Sequence, residues 1–129
     1  MPAAVLPRLL IAVVLALPLV LVVVRPAPAA EFVSVIEDLP LMPGLVEVPG
    51  DTMEFEGPTG RIVEVLAAGD VSAAAVEAFY AETLPQLGWR LEAPGRYRRD
   101  DEILSLAVAP APEGASGAAV RFRLRPAGR

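Results

Sequence analysis

Hydrophobic and polar positions fall into distinct patterns along this chain, and each pattern predicts a different element. The first is a continuous one. Leu9–Val24 is a 16-residue run of Leu, Val, Ile and Ala broken only by Pro18, with Arg8 before it and Arg25 after it. A run with a positive N-terminal flank and no polar face reads as a membrane-targeting segment. As a helix it would measure about 24 Å at roughly 1.5 Å per residue, against about 30 Å of hydrocarbon. That is short for a spanning helix and long for an ordinary signal-peptide core. Ala27 and Ala29 fit an A-x-A cleavage pattern, which would start the mature chain at Ala30. Residues 1–29 are therefore expected to be a signal peptide or a membrane anchor, with the body exported. It would be periplasmic, or anchored in the cytoplasmic membrane with the body outside.

The second pattern is an extended one. In Asp38-Leu39-Pro40-Leu41-Met42-Pro43-Gly44-Leu45 the prolines fix their own φ and push the residues before them toward extended conformations, which excludes a helix. Residues 30–50 are expected to form an extended, Pro-containing arm. Leu39, Leu41, Met42 and Leu45 then need a surface to cover. Either they pack on this domain's own core, or they dock a partner in the manner of polyproline segments.

Residues 51–129 read as a small α+β domain. Thr52–Glu56 and Arg61–Ala68 suggest two strands joined by Gly57-Pro58-Thr59-Gly60. Val76, Phe79, Tyr80, Thr83, Leu84 and Leu87 then repeat at helical spacing, behind Ser72 as N-cap and with Val71 and Val76 at staple spacing. Pro85 is expected to loosen the helix at Leu84 and Gly88 to stop it. Period-two alternation follows: Trp89 and Leu91 on one face; Leu104, Leu106 and Val108; then Val120, Phe122 and Leu124 inward with Arg121, Arg123 and Arg125 outward. A flexible loop is expected at Pro110–Gly117. The order predicted is β-β-α-β-β-β-β, one helix across an antiparallel sheet.

The run Val76-Glu77-Ala78-Phe79-Tyr80-Ala81-Glu82-Thr83-Leu84-Pro85-Gln86-Leu87-Gly88-Trp89 resembles a pattern in small exported bacterial envelope proteins of unassigned function, in which a Phe-Tyr…Leu-Pro…Gly-Trp helix leads into an antiparallel sheet. Asp38–Leu45 and Gly60-Arg61-Ile62-Val63-Glu64 extend that resemblance over much of the body. It implies a helix-on-sheet fold and an envelope location, and it carries no catalytic residues with it.

Composition narrows the chemistry. The 129 residues include no Cys and no His, and the 11 basic residues are all arginines, so Lys is absent too. Disulfides, thiolate metal sites, cysteine nucleophiles and a lipidated cysteine are excluded. The usual general base near neutral pH and the Schiff-base lysine are missing as well. No catalytic, cofactor-binding or metal-ligating residues are expected, and the class expected is non-enzymatic. Asp100-Asp101-Glu102, with Glu54 and Glu56 elsewhere, lacks the alternate-residue spacing of a calcium loop and reads as a solvated turn.

The net charge of −5 argues against a nucleic-acid binder. Within that acidic chain the arginines cluster, with Arg121, Arg123 and Arg125 on one strand and Arg96, Arg98 and Arg99 close in sequence to each other. They would either pair with acids across the strands or contact an envelope protein or an anionic membrane surface. The candidate contact residues are Leu39, Leu41, Met42, Leu45, Arg121, Arg123 and Arg125, with no cofactor and the oligomeric state left open. The alternative is a small-ligand or lipid carrier with a helix–sheet cleft lined by Phe79, Leu84 and Phe122.

Overall fold

The computed structural model describes residues 20–26, 29–111 and 116–128. Most of the apolar leader and the centre of the Pro110–Gly117 loop lie outside those residues. Val20–Pro26 have no regular secondary structure and are exposed. Among the described residues, no helix is long and apolar enough to cross a membrane.

The body is α+β, with one helix on an antiparallel sheet. A short hairpin, β1 (Phe32–Val33) and β2 (Ile36–Pro40), precedes β3 (Val46–Gly57) and β4 (Gly60–Gly69). After the helix α1 (Ala73–Gln86) come β5 (Arg90–Ala93), β6 (Arg96–Arg99), β7 (Glu102–Pro110) and β8 (Ala118–Pro126). The six-stranded sheet is ordered β3-β4-β8-β7-β6-β5, so the last strand lies at its centre. That position explains its clean alternation. Val120, Phe122 and Leu124 are buried beneath the helix side, and the arginines between them point to the other face.

Local chemistry accounts for the helix ends. Ser72 is extended at φ −76° and ψ 150°, and its Oγ accepts from the Ala75 amide at 3.0 Å, satisfying an otherwise unpaired helix-start donor. The helix runs through Pro85 to Gln86, two residues further than the loosening expected at Leu84. Proline there removes a single hydrogen bond, to Ala81, within the final turn, where its ring lies on the exposed side. The Leu87 amide bonds the Leu84 carbonyl at 3.0 Å, and Gly88 leaves the helix at φ +88°.

The arm differs from a plain extended segment. It folds into the β1–β2 hairpin, and β3 reaches back to Val46, across the expected boundary at residue 50, with a register irregularity between Glu47 and Thr52. The arm runs antiparallel to α1 over the same sheet face. At one end the Arg61 guanidinium donates to the Val35 carbonyl at 3.3 Å and Arg99 pairs with Asp38 at 2.6 Å. At the other end the arm crosses the end of β4. The Gly44 carbonyl oxygen sits only 1.8 Å from where a Cβ on Gly69 would stand, so only glycine lets the two backbones approach this closely.

Midway, Tyr80 fastens the arm to the helix. Its hydroxyl donates to the Pro40 carbonyl at 2.9 Å and accepts from the Met42 amide at 3.0 Å. Val33, Ile36, Leu39, Leu41 and Leu45 join Val63, Val65, Val76, Tyr80, Leu84, Leu104, Phe122 and Leu124 in one core. Every core member among the described residues lies between Val33 and Leu124. The chain from Ala30 onward contains all of that core.

Candidate functional site

Because side chains alternate across a strand and directly paired residues share a face, the register assigns each face of the sheet. The helix side carries Val63, Val65, Tyr97, Leu104, Leu106, Phe122 and Leu124, and the arm and α1 cover it. Of the two readings of Leu39, Leu41, Met42 and Leu45, the structure realises the first. Leu39, Leu41 and Leu45 are buried in the domain's own core, and Met42 is half-buried with its amide held by Tyr80. They close the part of the sheet that one helix is too narrow to cover.

The central cleft of the carrier alternative is likewise filled. Leu84 and Phe122 are fully buried, and the Tyr80 and Phe122 rings meet edge to face at 5.2 Å. Among the described residues, two half-open grooves remain on the helix side, one of them, of about 410 Å³, between the arm and the helix and lined by Glu31, Pro40, Leu41, Leu45 and Phe79. The other, of about 430 Å³, runs along the outer seam, between Glu77 and Ala81 of the helix and Leu91, Tyr97 and Leu106 of the sheet. Leu91 shares its face with the core, as alternation requires, yet it is 63% exposed because β5 extends beyond the helix.

Among the described residues, no helix or arm lies on the opposite face. Pairing brings six arginines onto it from three strands: Arg90 of β5, Arg96 and Arg98 of β6, and Arg121, Arg123 and Arg125 of β8. One row across the sheet reads Arg90, Arg98, Ile103, Arg125, and the next reads Arg96, Ser105, Arg123, Glu64, Met53. Ile103 is only 2% exposed although it stands on the bare face. Arg98 and Arg125 flank it directly, and their aliphatic stems shield it while the guanidinium groups stay in water.

Acids are scarce there. Glu64 pairs with Arg121 at 2.8 Å, and Glu92 takes both Arg96 and Arg98. Among the described residues, Arg90, Arg123 and Arg125 have no acidic partner within ion-pair distance. Cross-strand neutralisation is therefore partial, and Arg90 directly faces a like charge in Arg98. Such an arrangement costs on the order of 0.2–1 kcal/mol. Three apolar side chains share the face at its β3 edge, Val46 at 68%, Met53 at 56% and Phe55 at 60% exposure.

Arg99 belongs elsewhere. It alternates with Arg98 and so falls on the helix side. There it pairs with Asp38, donates to the Leu87 carbonyl at 3.1 Å and lies 4.3 Å from the Trp89 ring centroid. Its work is structural, and alternation alone could have separated it from the other arginines. Sequence reasoning missed Arg90, Met53 and Phe55 as members of the face. Arg90 needs the β5–β6 register to be placed, and the other two need the β3–β4 register. The acidic turn also has a structural use. Glu102 pairs with Arg61 at 3.8 Å, and the Asp101 carbonyl accepts from the Ala127 amide at 2.7 Å. No group of three or more acidic side chains placed to hold a metal ion occurs among the described residues.

Comparison of the chain with protein-family models, with curated proteins and with solved structures finds no match in any of the three.

Proposed function

We propose that this protein is a non-enzymatic binding module of the cell envelope, exported by its apolar leader, whose working surface is the arginine-bearing face of the sheet. One observation carries the reading: among the described residues, six guanidinium groups share a bare face whose acids are Glu64, Glu92 and, beside Arg121, Asp51, in a chain whose net charge is −5. Guanidinium groups are planar, permanently charged, and suited to paired hydrogen bonds with phosphate, sulfate or carboxylate. The complement of this face is an anionic surface.

The test is retention of the body, from Ala30 onward, on heparin, a generic polyanion. An acidic protein with evenly mixed charges flows through. Segregated charge predicts retention at low salt, elution as salt rises, and loss of retention in the double variant Arg90→Gln/Arg123→Gln. Flow-through of the unmodified body at low ionic strength would overturn the reading.

A further inference from the structure

We infer that the bare sheet face is a contact surface for an anionic phospholipid bilayer, its guanidinium groups on lipid phosphates and Phe55 and Met53 in the headgroup–acyl boundary. This rests on the binding reading above and names the partner. The face is broad: six strands at roughly 4.8 Å spacing make a surface more than 20 Å wide. It meets its ligand as a surface with two shallow depressions. One opens beside the irregular middle of β3, bounded by Gly50, Asp51, Met53, Glu64 and Arg121, and the other lies at the strand ends, bounded by Pro58, Thr59, Asp101 and Arg125.

Charge and apolar exposure coincide here. Arg90, Arg123 and Arg125 have no acidic partner among the described residues, and Phe55 stands opposite Ile62 on the same face. An exposed Phe at the edge of an arginine-bearing face suits the membrane interface, where cationic groups bind phosphates and apolar side chains enter the boundary region. An acidic protein partner would satisfy the arginines but leave Phe55 and Met53 needing a separate apolar complement. A single strand of nucleic acid would stack on aromatics set among the arginines, whereas the one aromatic here lies on the edge strand.

The chain before the body adds a further argument. Val20–Val24 continue the apolar run and end about six residues before Ala30, a reach of roughly 20 Å when extended. An anchored form would hold the body at the bilayer, where weak attractions of this kind suffice.

The experiment is co-sedimentation of the body with vesicles of phosphatidylcholine alone and of phosphatidylcholine with phosphatidylglycerol. Binding is expected only to the anionic vesicles, and it weakens as salt rises. Each surface arginine contributes about fivefold in partitioning. Arg90→Gln/Arg123→Gln should therefore bind on the order of 25-fold more weakly, with an unchanged circular-dichroism spectrum confirming the fold. A Phe55→Trp variant reads the depth of contact: its emission should shift to the blue on anionic vesicles and be quenched by brominated acyl chains. Buried Trp89 supplies a constant background.

Heparin retention without vesicle binding overturns the bilayer and leaves the binding module standing. Flow-through on heparin removes both. Vesicle binding unaffected by the double variant, or without any change at Trp in position 55, shows that another surface makes the contact and overturns the inference. Tighter binding to a single-stranded oligonucleotide than to the anionic vesicles does the same.

Discussion

Tyr80→Phe isolates the joint between the arm and the helix. The substitution leaves the ring, which packs edge to face with Phe79 at 4.9 Å and with Phe122 at 5.2 Å, so apolar burial is conserved. What disappears is one hydroxyl making two hydrogen bonds, 3.0 Å from the Met42 amide and 2.9 Å to the Pro40 carbonyl. Each bond contributes about 1 kcal/mol net, and each buried partner left unsatisfied costs about 1–3 kcal/mol. Pro40 and Met42 are half-buried, so water can reach part of what is exposed. The expected loss is about 2–4 kcal/mol, a large share of the 5–15 kcal/mol that typically holds a domain of this size.

Urea unfolding followed by Trp89 fluorescence and by far-ultraviolet circular dichroism measures it. Leu39, Leu41 and Leu45 are core residues, so the arm should unfold with the rest. The two probes should then shift together, with an unchanged denaturant slope. Amide exchange at Met42 adds a local readout. A loss below about 0.5 kcal/mol, with Met42 exchange unchanged, would refute the assignment of Tyr80 as the fastener of the arm.

Two further predictions concern the same joint. Gly69→Ala should cost about 3 kcal/mol or more, because its Cβ would meet the Gly44 carbonyl carbon at 2.8 Å and the Leu45 Cα at 3.2 Å, both backbone atoms that cannot rotate away. Gly50→Ala, whose Cβ meets nothing within 4 Å, should lose only about 1–2 kcal/mol, for its φ of +86°; equal thermal melts for the two variants would show that the arm is not seated on β4. In alkaline solution, burial pushes the Tyr80 phenol from 10.0 up to about 12, with the Met42 hydrogen bond opposing the shift. The fold favours the neutral form, so this stabilisation is complete below pH 10 and is lost as pH rises toward 12. Wild-type stability should fall more steeply over that interval than that of Tyr80→Phe, and parallel curves would contradict the assignment.

What could be read from the sequence was what repeats locally. Ser72, the helical stripe and the alternation of β7 and β8 are short-range signals set by neighbours within a turn or a strand, and the structure reproduces them. The joint at Tyr80 was not legible, since it couples residues 38 and 40 positions apart, and nothing near Tyr80 announces Pro40 or Met42. The β1–β2 hairpin was hidden because its pairing is irregular between Phe32 and Val33 and its prolines mask any alternation. Leu91 shows a different limit: period two gave its face correctly, but exposure depends on how far the helix reaches across the sheet. The candidate site was half legible. Arg121, Arg123 and Arg125 could be read from one strand, whereas joining them to Arg90, Arg96 and Arg98 requires the order β8-β7-β6-β5.

The arm and the arginines are two consequences of one shortage. A single 14-residue helix cannot cover six strands. A chain of this size can bury one sheet face by adding an apolar arm beside the helix, and it then has nothing left for the other. An antiparallel sheet tolerates a wet face, but a face selected only for solubility would interleave both signs of charge. Here the acids are mostly elsewhere: Glu77 and Glu82 on the helix, Glu31, Glu37 and Asp38 on the arm, Asp100 and Asp101 in the turn before β7, and Glu102 at its first position. Arg90 is instead set directly against Arg98. Stability alone disfavours that pairing, and the fold supplies no internal anion to relieve it beyond Glu92. An external anionic surface would relieve it, and the arm, by closing the opposite face, leaves this one to meet that surface.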